Sequence, residues 1–184
     1  MNELEEKFVR DEKKSAGCVF CDYKDIAGTT PLTLIMNLLF QVLVGHMDLP
    51  ENVTELYEKH EKGKSQPTLD ELVALLQDLG KAETIYIIVD ALDECSDKDD
   101  SRNILLQQLS KLRETCNILM TSRSSISISD YFEDYLTIEI TAKEADMEKY
   151  IAAHLSARLR SHIKKKPSLY EEIKSAVIGK AKNM

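Results

Sequence analysis

A chain of 184 residues, 43% hydrophobic and 30% charged, is long enough for one soluble domain with a real core and too apolar for disorder. Lys and Arg total 24 against 32 for Asp and Glu, and the net charge of -8 argues against binding nucleic acid or acidic membranes through a general positive field. Met1-Asn-Glu-Leu-Glu-Glu-Lys has no apolar signal core, and no run approaches the roughly 18 apolar residues of a membrane span, so a cytoplasmic chain is expected.

In chain order, residues 2–14 form a highly charged stretch with helical character, and 17–23, built around Cys-Val-Phe-Cys, forms a short buried strand. Thr30 as N-cap and Pro31 at the first helical position open a helix whose apolar face carries Leu32, Ile35, Met36, Leu38, Leu39, Val42 and Leu43, with Gly45 as its end. A more polar helix is expected at 51–62. Thr68-Leu-Asp-Glu71 is a capping box, in which the Thr hydroxyl and Glu carboxylate satisfy free backbone donors, and it starts an amphipathic helix that Gly80 should stop.

The unbroken β-branched and aromatic run at 84–89 predicts a strand buried on both faces. A helix at 101–112, a strand at 117–121, a small helix at 131–135 and an alternating strand at 136–140 follow. Thr141-Ala-Lys-Glu144 and Ser168-Leu-Tyr-Glu171 are further capping boxes, opening helices at 144–159 and from 168 toward Ile178. Strands alternate with helices until about residue 140 and helices alone follow, the pattern of an α/β fold with a mostly parallel sheet and a trailing helical segment.

Chemistry concentrates where the strand at 84–89 runs into Asp90-Ala-Leu-Asp93-Glu94. The carboxyl edge of a parallel sheet is where open α/β folds place their ligands. A carboxylate fixed at a strand end suits magnesium, which wants oxygen ligands and retains several waters, while a neighbouring acid can polarise an attacking water. Asp97, Asp99 and Asp100 serve instead to cap and solvate the start of the next helix. Of the four cysteines, at 18, 21, 95 and 116, the first two have zinc-knuckle spacing but no second Cys or His pair, so structural roles are expected. The basic run from Arg158 to Lys166 reads as a solvated helix end and linker.

Ile87-Ile-Val-Asp90-Ala-Leu-Asp93-Glu94-Cys95 resembles the Walker B segment of NACHT-type NTPases of the STAND class, and particularly of nephrocystin 3-like N-terminal domains of fungal type. Phe20-Cys-Asp22-Tyr-Lys-Asp25, followed by Thr30-Pro31, is similar to the segment on that family's second strand. Leu119-Met-Thr121-Ser122-Arg123 is similar to its sensor 1 segment, and 137–150 to its last sheet strand and the beginning of its helical lid.

The resemblance implies a P-loop NTPase-like three-layer sandwich over 1–141, with the start of the lid at 142–184, and magnesium and ATP as cofactors. By position, Asp90 would organise magnesium, Asp93 or Glu94 would orient the hydrolytic water, and Arg123 would sense the γ-phosphate. It also implies that ATP binding and hydrolysis switch the protein between closed and oligomerising states.

The Gly-x-x-x-x-Gly-Lys-Ser/Thr loop that cradles phosphate does not occur in these residues. Gly63-Lys64-Ser65 copies its end, but Glu58 stands where the first Gly is required and Pro67 obstructs the helix that must follow. The chain is therefore expected to be an incomplete core that begins downstream of the P-loop strand. It should hydrolyse no ATP by itself, and the strand at 117–121 should have an open edge unless 136–140 fills it. The competing expectation is a non-catalytic interaction module or decoy that pairs with full-length relatives. A metal-dependent phosphodiesterase is disfavoured, because the acids are bunched in one loop without His or distant carboxylates.

Overall fold

The computed structural model describes residues 14–25, 28–44, 46, 48–63, 65–96, 99–141 and 143–181. The chain divides into two compact units, Met1–Asp134 and Tyr135–Met184. In the first, β1 (Lys14–Phe20), β2 (Thr84–Asp90) and β3 (Cys116–Met120) form a parallel sheet in that order, with β2 in the centre. Helices α1 (Pro31–Val44), α2 (Glu51–Gly63) and α3 (Leu69–Ala82) lie between β1 and β2, and α4 (Ser101–Leu112) lies between β2 and β3. The α/β fold with a parallel sheet is as the alternation of periods predicted.

Register explains which residues form the core. Gly17 pairs with Ile87, and Ile87 with Ile118, so Ser15, Gly17 and Val19, Ile85, Ile87 and Val89, and Cys116, Ile118 and Met120 share one face. Helices α1, α3 and α4 pack on one another, with α1 on β1 and α3 on β2. Their apolar stripes contribute Leu38, Leu76, Leu105 and Leu109, all without solvent exposure. Gly17 lets α1 come close: a Cβ there would meet Leu38 Cδ2 at 3.1 Å and the Leu38 carbonyl oxygen at 3.2 Å. The opposite face, carrying Tyr86 and Ile88, is only half-buried, and Leu119 is exposed. The expected burial of β2 on both faces is thus half met: among the described residues the three mutually packed helices all serve one face.

Several boundaries move for identifiable reasons. The expected helix at 2–14 lies outside the described residues, apart from Lys14, which begins β1. Gly45, expected to end α1, also lies outside them; α1 runs to Val44, and Thr30 Oγ1 accepts from the Thr33 amide as an N-cap should. Gly80 does not stop α3, which continues to Ala82, because its missing side chain serves packing against β3 rather than a left-handed turn. The segment 131–135 is a turn, not a helix, with Phe132 buried beneath it.

No strand forms at 136–140. Leu136, Ile138 and Ile140 are 89%, 74% and 91% exposed, because alternation alone provides no ladder partner. Among the described residues β3 therefore pairs on one side only. The other outer strand is treated differently: Gln41 of α1 accepts from the Cys18 amide at 2.9 Å and donates to the Cys18 carbonyl at 2.8 Å, occupying the edge of β1 with a side chain.

The second unit holds α5 (Glu144–His154), α6 (Ala157–Lys165) and α7 (Ser168–Ala181). The single helix expected at 144–159 is broken, because Ser156 caps α6 by accepting from the Leu159 amide, while Arg160 donates to the carbonyls of Leu155, Ala152 and Ala153 and closes α5. The expected Thr141 box is absent: the N-cap is Lys143, without a side-chain bond. α7 starts at Ser168 itself, whose hydroxyl donates to Glu172. Ile151 and Ile178 are buried, and Lys174 pairs with Glu148, which raises the Lys174 pKa.

The capping box at α3 is present in both directions, with Glu71 accepting from the Thr68 amide at 2.7 Å and Thr68 Oγ1 accepting from the Glu71 amide. Hydrogen bonding to Lys59, and then to Thr68, holds the Glu71 carboxyl down at about 2 against an ordinary 4.5. A depressed folded pKa means that the ionised form stabilises the fold, fully above the unfolded value and decreasingly as pH falls through about 2. In acid denaturation, Glu71→Gln should lack the part of the wild-type stability loss that falls between pH 4.5 and 2. Identical profiles for the two proteins would refute this.

Candidate functional site at the carboxyl end of β2

The polar groups gather where the parallel strands end. Asp90 is the last residue of β2, and the chain then turns through Ala91 into a short 3-10 helix, Leu92–Glu94. Ala91 has φ 56 and ψ 47, in the left-handed region that a Cβ makes unfavourable. Ala91→Gly should remove that strain and stabilise the fold by about 0.5–1 kcal/mol. Urea unfolding checks it, and a destabilised variant would show that the turn is not strained there.

Two neighbours hold this turn. On the β3 side, the Thr121 amide donates to the Val89 carbonyl at 2.9 Å, its carbonyl accepts from the Leu92 amide at 2.9 Å, and its hydroxyl accepts from the Ala91 amide while donating to Asp90 Oδ1. On the α4 side, Arg102 donates to the carbonyls of Leu92 at 3.2 Å, Asp93 at 3.1 Å and Cys95 at 2.7 Å. A cation in the first turn of α4 opposes the helix dipole, and these three carbonyls offset that. Such an Arg was the available sequence signal for Arg102; the anchoring role of Thr121 required the paired strands.

The structure brings Arg123 to Asp93: Nε lies 3.1 Å from Oδ2, and the Arg123 amide donates to Oδ1 at 3.2 Å. Asp93 is largely covered, at 14%, while Arg123 is 75% exposed, so solvent screens the pair. Glu94 is half-buried, and its amide donates to the Ala91 carbonyl at 2.8 Å. Asp93 is thus brought to Arg123 and Asp90 to Thr121, from β2, the turn after it and the segment after β3, while Glu94 follows Asp93 in the same turn. A groove of about 340 Å³ beside the turn is lined by Arg102, Asn103, Leu106, Ser125, Ile126 and Ser127 and contains none of these residues; a concavity of about 440 Å³ near Lys111 and Tyr131 likewise contains none of them.

The residues set apart as structural also find places. Asp99 Oδ1 accepts from the Ser101 amide at 3.4 Å, and bonding to Ser101 lowers its pKa, whereas Asp100 adopts a left-handed conformation without a side-chain cap and accepts from Asn103. Asp97 lies outside the described residues. Gly63 is helical and Ser65 Oγ lies 2.9 Å from His60 Nδ1, a helix-end contact in place of a phosphate loop; Lys64 lies outside the described residues. Cys21 and Cys95 are both buried; the neighbouring Cys95 and then burial push the Cys21 thiol up, while Cys21 and then Arg102 hold Cys95 below its ordinary value.

A single carboxylate at a strand end, backed by a hydroxyl, fits a magnesium ion held mainly by phosphate and water oxygens. It does not fit an ion caged by protein, since among the described residues no group of three or more His, Cys, Asp or Glu is placed to hold a metal. No helix among them is long and apolar enough to cross a membrane.

The class defined by these features is a parallel α/β domain with its polar constellation at the carboxyl edge of the central strand. Residues 2–123 match the family model described as nephrocystin 3, N-terminal, and the chain belongs to that family. No curated protein and no solved structure matches it.

Proposed function

We propose that this chain carries the Walker B and sensor 1 half of a nucleotide-dependent switch of NACHT type, within the STAND class and of fungal type, with 1–141 as its partial core and 142–184 as the start of its lid. The observation that supports the reading most is the convergence of Asp90, Thr121 and the Asp93–Arg123 pair from two adjacent strand ends. Asp90 would hold magnesium, whose chemistry when bound is to neutralise charge on phosphate oxygens. The Thr121 hydroxyl orients the Asp90 carboxylate. Asp93 or Glu94 would orient a water, and Arg123, charged and forked, would match the oxygens of a γ-phosphate, for which it would exchange Asp93.

The 184 residues contain no phosphate-cradling Gly-rich loop with its Lys, so the main contacts to β- and γ-phosphates are not supplied by these residues. Incubated with magnesium and ATP, the purified chain should release no phosphate above the level of Asp93→Ala. Turnover abolished by Asp93→Ala or Glu94→Ala would overturn that expectation. The site itself is tested with manganese as a paramagnetic probe in the presence of ATP: broadening of amide signals centred on 90–94 and 121–123, lost in Asp90→Ala, is expected. Broadening elsewhere, or none, would reject the assignment.

A second reading, a non-catalytic module that pairs with intact relatives in the cytoplasm, is favoured by one observation: among the described residues β3 pairs on one side only, while a side chain occupies the edge of β1. The half-buried sheet face is likewise suited to a third layer. Co-elution with an intact relative supports this reading, and a monomer that captures no relative counts against it.

A further inference from the structure

Two unsatisfied pieces of this chain complement each other. The first is β3, which is bonded to β2 on one side, while among the described residues no strand lies on its other side. Its sequence, Cys-Asn-Ile-Leu-Met, carries neither a charge nor a proline, the residues that commonly blunt an exposed edge. The outer edge of β1 is blocked at Cys18 by Gln41, so an added strand has β3 to join.

The second piece is 136–140, Leu-Thr-Ile-Glu-Ile, which alternates as a strand does but has no secondary structure. Leu136, Ile138 and Ile140 all stand largely in solvent. Large apolar side chains exposed together on one side of a short segment mark an interaction surface, unlike apolar residues scattered singly.

Length and pattern fit. β3 has five residues, and so has 136–140. Laid centre to centre, Ile138 falls opposite Ile118 in either strand direction. Leu136, Ile138 and Ile140 then continue the row of Cys116, Ile118 and Met120, which faces the core, and Thr137 and Glu139 fall beside Asn117 and Leu119 on the exposed face. Ile118 and Met120 are only half-buried, so the added row completes a core margin that the free edge leaves open. A slip by one residue would turn Glu139 into the apolar row, which specifies the register.

Within one chain the segment does not reach this pairing. The connection leaving β3 is committed to the core at Ile126, Ile128, Tyr131 and Phe132, and only Glu133, Asp134 and Tyr135 separate that anchor from Leu136. A second copy carries no such tether.

We propose that 136–140 of one chain adds to the free edge of β3 in a second copy, and reciprocally, giving a strand-exchanged dimer. Each chain offers one edge and one strand, so the exchange closes at two. The inference needs only this chain: it depends neither on the nucleotide reading nor on capture of an intact relative.

Sedimentation of the full chain over a dilution series should show a monomer–dimer equilibrium, and amide exchange at 116–120 and 136–140 should slow as the dimer fraction rises. Ile138→Asp places a charge in the apolar row and should weaken dimerisation about tenfold or more. Because Ile138 is exposed in the single chain, the urea midpoint of the monomer should not move. Ile140→Asp should act in the same way and decides the matter if the first variant does not fold. A chain still monomeric at about 100 μM would overturn the proposal, since burying these apolar side chains twice over should bind more tightly than that. So would a dimer untouched by both substitutions, or growth past the dimer. Protection of 136–140 that is independent of concentration would place the segment on its own β3 and equally refute the exchange.

Discussion

Ile87→Ala should cost the first unit about 2–5 kcal/mol, the range for emptying a fully buried branched site. Ile87 has no solvent exposure, lies midway along the central strand and is flanked by Gly17 on β1 and Ile118 on β3. Gly17 has no side chain to move into the space, and Ile118 is itself only half-buried, so the cavity cannot close cheaply from either side. Ile88→Ala, on the half-buried opposite face of the same strand, should cost markedly less. Urea unfolding followed by circular dichroism measures both. Equal losses would mean that the two faces of β2 are equally covered, against the packing described above.

Gly80→Ala should destabilise although it improves helix propensity by about 1 kcal/mol. Gly80 lies inside α3, where a solvent-facing alanine would be favourable. A Cβ at this position would come within 2.6 Å of the Thr115 carbonyl oxygen, 3.0 Å of Thr115 Cβ and 3.1 Å of Cys116 Sγ. The first contact is with backbone at the start of β3, which cannot rotate away, so α3 or β3 must shift. Overpacking of this kind costs about 1–3 kcal/mol, enough to reverse the propensity gain. A denaturation midpoint equal to or above that of the wild type would show that the helix and strand can separate freely.

Gly80 also shows where sequence reading reaches its limit. A glycine near the end of an apolar period signals a stop by local rules, yet the same residue can serve a contact with a strand distant in sequence, and only the contact distinguishes the two. The segment 136–140 fails for the complementary reason: its alternation is a sound local signal, but a strand exists only when a neighbour accepts its hydrogen bonds. Ser156 carries a local signal, since a serine between two helical runs favours an N-cap. The α1 start at Pro31, the capping box at Thr68 and the β2 run were legible because each rests on neighbours a few residues away.

At the site, the division is similar. The acids of the turn were legible, since a strong strand run delivering Asp90 and followed by Asp93 and Glu94 is unusual in composition and placement. The pairing of Asp93 with Arg123 and the two-sided anchoring by Thr121 and Arg102 join residues from separate elements, and no spacing rule encodes them.

By itself the sequence determined the parallel α/β class, the order of strands and helices through β3, and the place where chemistry-bearing residues accumulate, because periodicity, capping and strand composition are local physics. The tertiary structure alone decided which sheet face is buried, which edge is occupied, that 136–140 remains unpaired, and how the turn after Asp90 is held. Those outcomes depend on close approach between distant segments, where sterics, hydrogen-bond geometry and the shared exclusion of water act together.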